Sequence, residues 1–290
     1  MTRQQEAGAG PVAPIGVFDS GIGGLTILKA LRDCLPRENL VYFGDLGRSP
    51  YGTKSTETVR RYAGQITRFL LSLGVKLVVI ACNTASAAAG DLVSQLAHPV
   101  PVLEVVGHGS RMALDLASRL AEDEVRIGVL GTRTTVSSGV YQDRLLALAA
   151  EQGLQPPLIR QQACPLFVPL AEEGLWQGEI PDQIARLYLE ELKAFSPQVV
   201  ILGCTHYPVL FDTISKALPP GTVLNDSAPA VARSAEGLLA DSGRLAPRDQ
   251  EGTVTFYCSD SEDTFRHQAA RFLDMPVDIV HHIDLDTWEG

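Results

Sequence analysis

The chain has 290 residues, 45% hydrophobic and only 20% charged, a composition that supports a substantial core and excludes disorder as its main state. Its 24 Lys and Arg against 34 Asp and Glu leave a formal net charge of −10, so no global positive field exists to gather nucleic-acid phosphates or an anionic membrane surface. Five cysteines are too few for a disulfide-stapled scaffold and odd in number, which points to a reducing, cytoplasmic setting.

Residues 1–14 are small and polar, read as a flexible N-terminal segment without the apolar centre of an export signal, and no later apolar run approaches a membrane span. Short β-branched runs then follow: Ile15-Gly16-Val17-Phe18, Leu40-Val41-Tyr42-Phe43, Leu77-Val78-Val79-Ile80 and Val102-Leu103-Glu104-Val105-Val106. They predict buried strands. Between the second and third, Val59, Tyr62, Ala63, Ile66, Phe69, Leu70 and Leu73 form an apolar stripe with helical spacing. Alternating strand and helix predicts an α/β fold with mainly parallel sheets.

A second series comprises Ile127-Gly128-Val129-Leu130, Leu158-Ile159 and Val199-Val200-Ile201-Leu202. Its first and last members match the first series in type: Ile15 to Ser20 with Ile127 to Thr132, and Val78 to Thr84 with Val199 to Thr205, one residue being inserted. Each of the latter runs ends in cysteine followed by an amide or hydroxyl side chain, Cys82-Asn83 and Cys204-Thr205. An internal duplication therefore predicts two pseudo-symmetric α/β lobes, residues 15–106 with 222–290 and residues 107–221, with the active site in the cleft between them. The tail, with Val223-Leu224-Asn225, a helix through Ala230 to Leu239 and strands at Val254 to Cys258 and Val277 to Val280, is assigned to the first lobe.

Ligands of parallel sheets bind beyond the carboxyl ends of the strands, which places Asp19, Asp45, Cys82, Thr132 and Cys204 where a ligand would sit. A thiol near its reference pKa of about 8.5 needs a modest shift to serve as base, nucleophile or metal ligand. If one of two facing cysteines is thiolate and the other thiol, a proton can leave one face of a carbon while another arrives at the opposite face, inverting a stereocentre. Asp19 then neighbours the first sulfur and His206 the second. Asp45 reads equally as a turn former. Cys34, Cys164 and Cys258 read as structural thiols, and His281-His282 as a strand-end feature. The turn Asp19-Ser20-Gly21-Ile22-Gly23-Gly24 precedes a helix and suits an anion, but Thr26 stands where a dinucleotide loop needs glycine, and no Gly-Lys-Ser/Thr phosphate loop follows.

Asp19 to Gly24, Arg48-Ser49-Pro50-Tyr51-Gly52, Cys82-Asn83-Thr84-Ala85 and Gly203-Cys204-Thr205-His206-Tyr207-Pro208 together resemble the signature segments of glutamate racemase, in the same order. The resemblance runs from about Ile15 to Asn225 and implies a cofactor-independent enzyme, usually a homodimer, that makes D-glutamate for peptidoglycan. It implies that Cys82 takes the α-proton from D-glutamate and Cys204 from L-glutamate, with Asp19 partnering the first thiol and His206 with Glu172 the second. Ser20, Asn83, Thr84 and Thr205 match positions holding the amino and carboxylate groups, Thr135 adds to carboxylate binding, and Tyr51 and Gly52 match the loop receiving the side-chain carboxylate. Glu173 adjoins Glu172, so a one-residue shift would exchange them.

Pyridoxal chemistry would need a Schiff-base lysine, yet none of Lys29, Lys54, Lys76, Lys193 and Lys216 follows a strand end. The alternatives are an aspartate racemase or related isomerase, a metal site built from Asp19, Cys82, Cys204 and His206, and a redox sensor using a Cys82–Cys204 bridge. No metal is expected, since Cys-x-x-Cys and His-x-x-x-His spacings are absent.

Overall fold

A computed structural model describes residues 10–121 and 124–288. The flexible-segment expectation for residues 1–14 falls mostly outside them. Residues 10–14 are held against the first lobe: the Val12 carbonyl accepts from Asn39 Nδ2 at 2.9 Å, and the Pro14 carbonyl from the Lys76 amide at 2.9 Å.

The first half runs β1 (Ile15–Asp19), α1 (Leu25–Cys34), β2 (Leu40–Gly44), α2 (Thr56–Ser72), β3 (Leu77–Ile80), α3 (Asn83–Ala97) and β4 (Val102–Glu104). β1, β2 and β3 are buried at every position, as a parallel strand covered on both faces must be. α2 begins where the Ser55 side chain accepts from the Thr58 amide, and its apolar stripe buries Val59, Ala63, Ile66, Phe69 and Leu70.

α4 (Val105–Leu120) follows without a connecting loop. The β-branched run predicts strand through Val106, but the strand ends at Glu104, whose carboxylate accepts from the Val106 and Gly107 amides at 2.6 and 2.8 Å. Satisfying two orphan amides of a helix start outweighs the β preference of valines placed where no preceding turn crowds them.

The second half runs β5 (Arg126–Gly131), α5 (Arg133–Ser137), α6 (Val140–Glu151), β6 (Leu158–Ala163), α7 (Phe167–Glu172), α8 (Glu179–Phe195), β7 (Val199–Gly203), α9 (Phe211–Ala217) and β8 (Val223–Asn225). The tail adds α10 (Ala228–Asp241), β9 (Val254–Cys258), α11 (Glu262–Leu273) and β10 (Val280–His282). Among the described residues no helix is long and apolar enough to cross a membrane.

Two sheets result, ordered β10-β9-β2-β1-β3-β4 and β6-β5-β7-β8, with every strand pair parallel. The order β2-β1-β3-β4 thus recurs as β6-β5-β7-β8. β1 corresponds to β5 and β3 to β7, the pairs whose sequences match. The tail strands extend the first sheet, β9 pairing with β2. One assignment differs. A lobe boundary at 222 puts Val223 to Asn225 in the first lobe, but β8 pairs with Val199 to Ile201 of β7, closing the second sheet as β4 closes this repeat in the first. A three-residue strand offers too little pattern for the sequence to choose its sheet.

Candidate active site

Asp19 ends β1 and is fully buried. Its Oδ2 accepts from the Gly21 amide at 2.9 Å, and its Oδ1 from the hydroxyl of Thr205, across from the second lobe, at 3.4 Å. Burial pushes the carboxyl above its ordinary value, while the His206 charge and amides of the glycine turn pull it back. The turn is glycine-rich because of this crowding: a Cβ at position 23 would stand 2.5 Å from His206 Nδ1, and one at position 24 would stand 2.6 Å from Asp19 Cβ.

Two residues beyond β3, Cys82 caps α3. Its sulfur accepts from the Ala85 amide at 3.4 Å and donates to Ser20 Oγ at 3.6 Å. Burial first, and the neighbouring Asp19 charge second, push this thiol up to about 12, so it holds its proton at neutral pH. Asn83 and Thr84 form the first turn of α3. Asn83 Oδ1 accepts from the Tyr141 phenol at 2.5 Å, and Thr84 Oγ1 lies 3.1 Å from Thr132 Oγ1 and 3.2 Å from Thr135 Oγ1. All three of those partners belong to the second half of the chain.

Cys204 directly follows β7, the counterpart of β3. Its sulfur lies 3.8 Å from His206 Nδ1, and His206 Nε2 lies 3.2 Å from Glu172 Oε1 at the end of α7. Glu173 is exposed, so Glu172 is the carboxylate that reaches the imidazole. Burial works against a charged imidazole here. The hydrogen bonds to Cys204 and Glu172, with the charges of Cys204 and Asp19, outweigh it and raise His206 to about 10, so His206 presents a cation to Cys204. Phe272 of α11 lies edge-on to this ring, with centroids 5.9 Å apart, shielding it from water.

Tyr51 and Gly52 occupy a short helical turn after β2. The Tyr51 phenol is buried and donates to Asp45, which also accepts from Ser259 Oγ at 2.7 Å and Arg48 Nε at 2.9 Å. Its hydroxyl is therefore committed within the first lobe. Gly52 meets the second lobe: its carbonyl accepts from Thr134 Oγ1 at 2.8 Å, and a Cβ there would lie 2.7 Å from Thr132 Cβ.

Every sequence-selected residue thus lies at or directly behind the junction of the two sheets' strand ends. Thr132 was legible as a strand-end residue but not as a bridge to Thr84. Tyr141, in α6 and distant in sequence from any strand end, carries no signal. The five cysteines are unpaired, and among the described residues no three His, Cys, Asp or Glu side chains converge as a metal ion would require. The junction offers two buried sulfurs, one protonated and one beside an imidazolium, within a ring of hydroxyl and amide groups that excludes water. Such a site can remove and deliver protons on opposite sides of a small polar molecule.

Residues 25–235 match the family model described as Asp/Glu/Hydantoin racemase. A glutamate racemase of Thermus thermophilus is 45% identical over 277 residues, covering 95% of this chain and 98% of that protein. One from Geobacter metallireducens is 39% identical, covering 96% and 98%. The crystal structure of glutamate racemase from Francisella tularensis in complex with D-glutamate aligns with a TM-score of 0.86 at 36% identity, covering 96% of this chain and all of that one.

Proposed function

The chain belongs to the Asp/Glu/hydantoin racemase family, and from that premise we propose that it interconverts L- and D-glutamate without a cofactor, Cys82 and Cys204 alternating as acid and base, and so supplies D-glutamate for peptidoglycan. The observation carrying this reading is the equivalent placement of the two thiols. Each follows the corresponding strand of a like-ordered sheet, and each has its own proton-handling neighbour, Asp19 for Cys82 and His206 with Glu172 for Cys204.

In the L-to-D direction the Cys204 thiolate takes the α-proton, the electron pair spreads into the α-carboxylate, and the Cys82 thiol gives its proton to the opposite face. The sulfurs then have exchanged protonation states, and the return of protons through solvent or product resets the enzyme. Ser20, Asn83, Thr84, Thr135 and Thr205 hold the amino and carboxylate groups, and their fixed dipoles stabilise the charge that develops on the carboxylate. The Tyr51–Gly52 turn receives the side-chain carboxylate. The resting arrangement, with Cys82 holding its proton and His206 charged beside Cys204, suits L-glutamate. Because enantiomers have equal free energy, this asymmetry appears in kcat and KM separately, while kcat/KM stays equal for both substrates.

Incubation with L-glutamate in deuterated water tests the reading. Early D-glutamate should carry α-deuterium while the remaining L-glutamate stays unlabelled, because the donating thiol exchanges with solvent. Neither racemisation nor label would reject the function. Cys82→Ser and Cys204→Ser should each lose at least about 10³-fold in turnover, within the range for a positioned acid or base; near-native turnover in either rejects the two-thiol mechanism. We also propose a homodimer of the 31.2 kDa chain, measurable by light scattering.

A further inference from the structure

Asn83 is buried, and its one side-chain hydrogen bond among the described residues comes from a residue of the opposite lobe, Tyr141. Tyr141 stands in the first turn of α6, fully buried in the second-lobe core with Val106, Ile127, Val129 and Leu145. Its ring passes the end of β7. There Gly203 leaves room for it, since a Cβ at that position would lie 3.0 Å from Tyr141 Cε2 and 2.5 Å from the Leu130 carbonyl oxygen. The glycine preceding Cys204 therefore lets this phenol cross between the lobes.

We propose that Tyr141 is a positioning residue for the racemisation proposed above, on which this inference rests: it fixes the Asn83 amide so that Nδ2 faces the substrate carboxylate. The buried phenol proton has one acceptor, Asn83 Oδ1 at 2.5 Å. Reversing the amide would turn two N–H groups toward the phenol and leave its own proton without an acceptor, a buried unpaired donor. Burial, with the charges of Glu104, Cys204 and Asp226, keeps the phenol protonated well beyond its ordinary range, so the donor persists at working pH. The amide oxygen is thereby consumed. Nδ2, which has no protein partner among the described residues, is left as a fixed donor beside Thr84 at the mouth of Cys82. A fixed donor there strengthens its bond as negative charge grows on the carboxylate, which is worth more in the transition state than in the bound substrate.

The test is a double-mutant cycle of Tyr141→Phe and Asn83→Ala. Y141F should lose about tenfold in kcat/KM, mostly in kcat, as expected for an interaction realised in the transition state. In the N83A background the same change should cost less than about twofold, because the group it orients is gone. D-glutamate should raise the thermal midpoint of Y141F nearly as much as that of the native protein, because the bound ligand gains little from a bond that strengthens only in the transition state. Equal losses in both backgrounds, or near-native Y141F, would overturn the proposal. If Y141F fails to fold, Asn83→Asp serves instead: one oxygen still accepts from Tyr141 and the other opposes the substrate carboxylate, so KM should rise at least about tenfold, and an unchanged KM would overturn it. A native protein that does not racemise glutamate would reject the underlying function before any variant is made.

Discussion

Glu172 and Glu173 sit side by side at the end of α7, yet only Glu172 lies 3.2 Å from His206 Nε2, with Glu173 facing solvent. The Glu172 hydrogen bond is among the forces that raise His206, so Glu172→Gln should bring the imidazole pKa down from about 10, readable by NMR titration of the His206 ring. Turnover should fall with it, because the cation beside Cys204 is then lost within the working pH range. Glu173→Gln should change neither. Motif spacing points to Asp19, Cys82 and Cys204 because each lies at or just beyond a strand end, where parallel sheets bind ligands, and to His206 because it stands two residues after Cys204. It leaves Glu172 open to a one-residue shift and Asp45 open between a residue supporting the site and a turn former, because only folded distances distinguish a carboxylate that reaches a partner from one that does not.

The turn between β1 and α1 shows how one element meets two demands. At position 23 the atoms in the way of a Cβ belong to the side chains of Thr205 and His206, which can swing aside at the expense of the site. At position 24 they include the Cβ atoms of Asp19 and Ala81, at 2.6 and 2.9 Å, which move only with the backbone. Gly23→Ala should therefore lose activity by at least about tenfold with a thermal midpoint close to native, whereas Gly24→Ala should lower stability by about 1–3 kcal/mol through overpacking. Thermal melts and steady-state assays on both variants separate the two effects; the reverse pattern would contradict this account. At the same scale, Glu104 ends a strand that valine content alone would extend. A single carboxylate on two helix amides decided that boundary, and propensity does not register such an interaction.

Across the whole molecule, the lobes are joined at the chemistry itself. Thr205 donates to Asp19, Thr134 to the Gly52 carbonyl and Tyr141 to Asn83, while Phe272 covers His206. Protonation of His206 should therefore contribute to the stability of the closed molecule. The histidine stands at about 10 in the fold against an ordinary 6.5, so the stabilisation is fully present below about pH 6.5 and is lost as pH rises through about 10. Cys82, raised from an ordinary 9.0 to about 12, adds a loss of the same sign that begins near pH 9 and runs to about 12. The thermal midpoint should fall as pH is raised from 6.5 to 10, and His206→Asn should flatten that slope. An unchanged slope in the variant would assign the fall to other groups.

The sequence by itself determined the fold class, the repeated strand series and the strand-end positions of the candidate site residues, because buried parallel strands and their ends leave local patterns of side-chain type. Tertiary structure alone decided the rest. β8 joined the second sheet because hydrogen-bond pairing, which three residues cannot encode, placed it beside β7. Tyr141 met Asn83, Thr132 met Thr84, and Glu172 rather than Glu173 met His206, because those contacts join residues distant in the chain. Their existence depends on how two lobes face each other, a relation that no local pattern along the sequence contains.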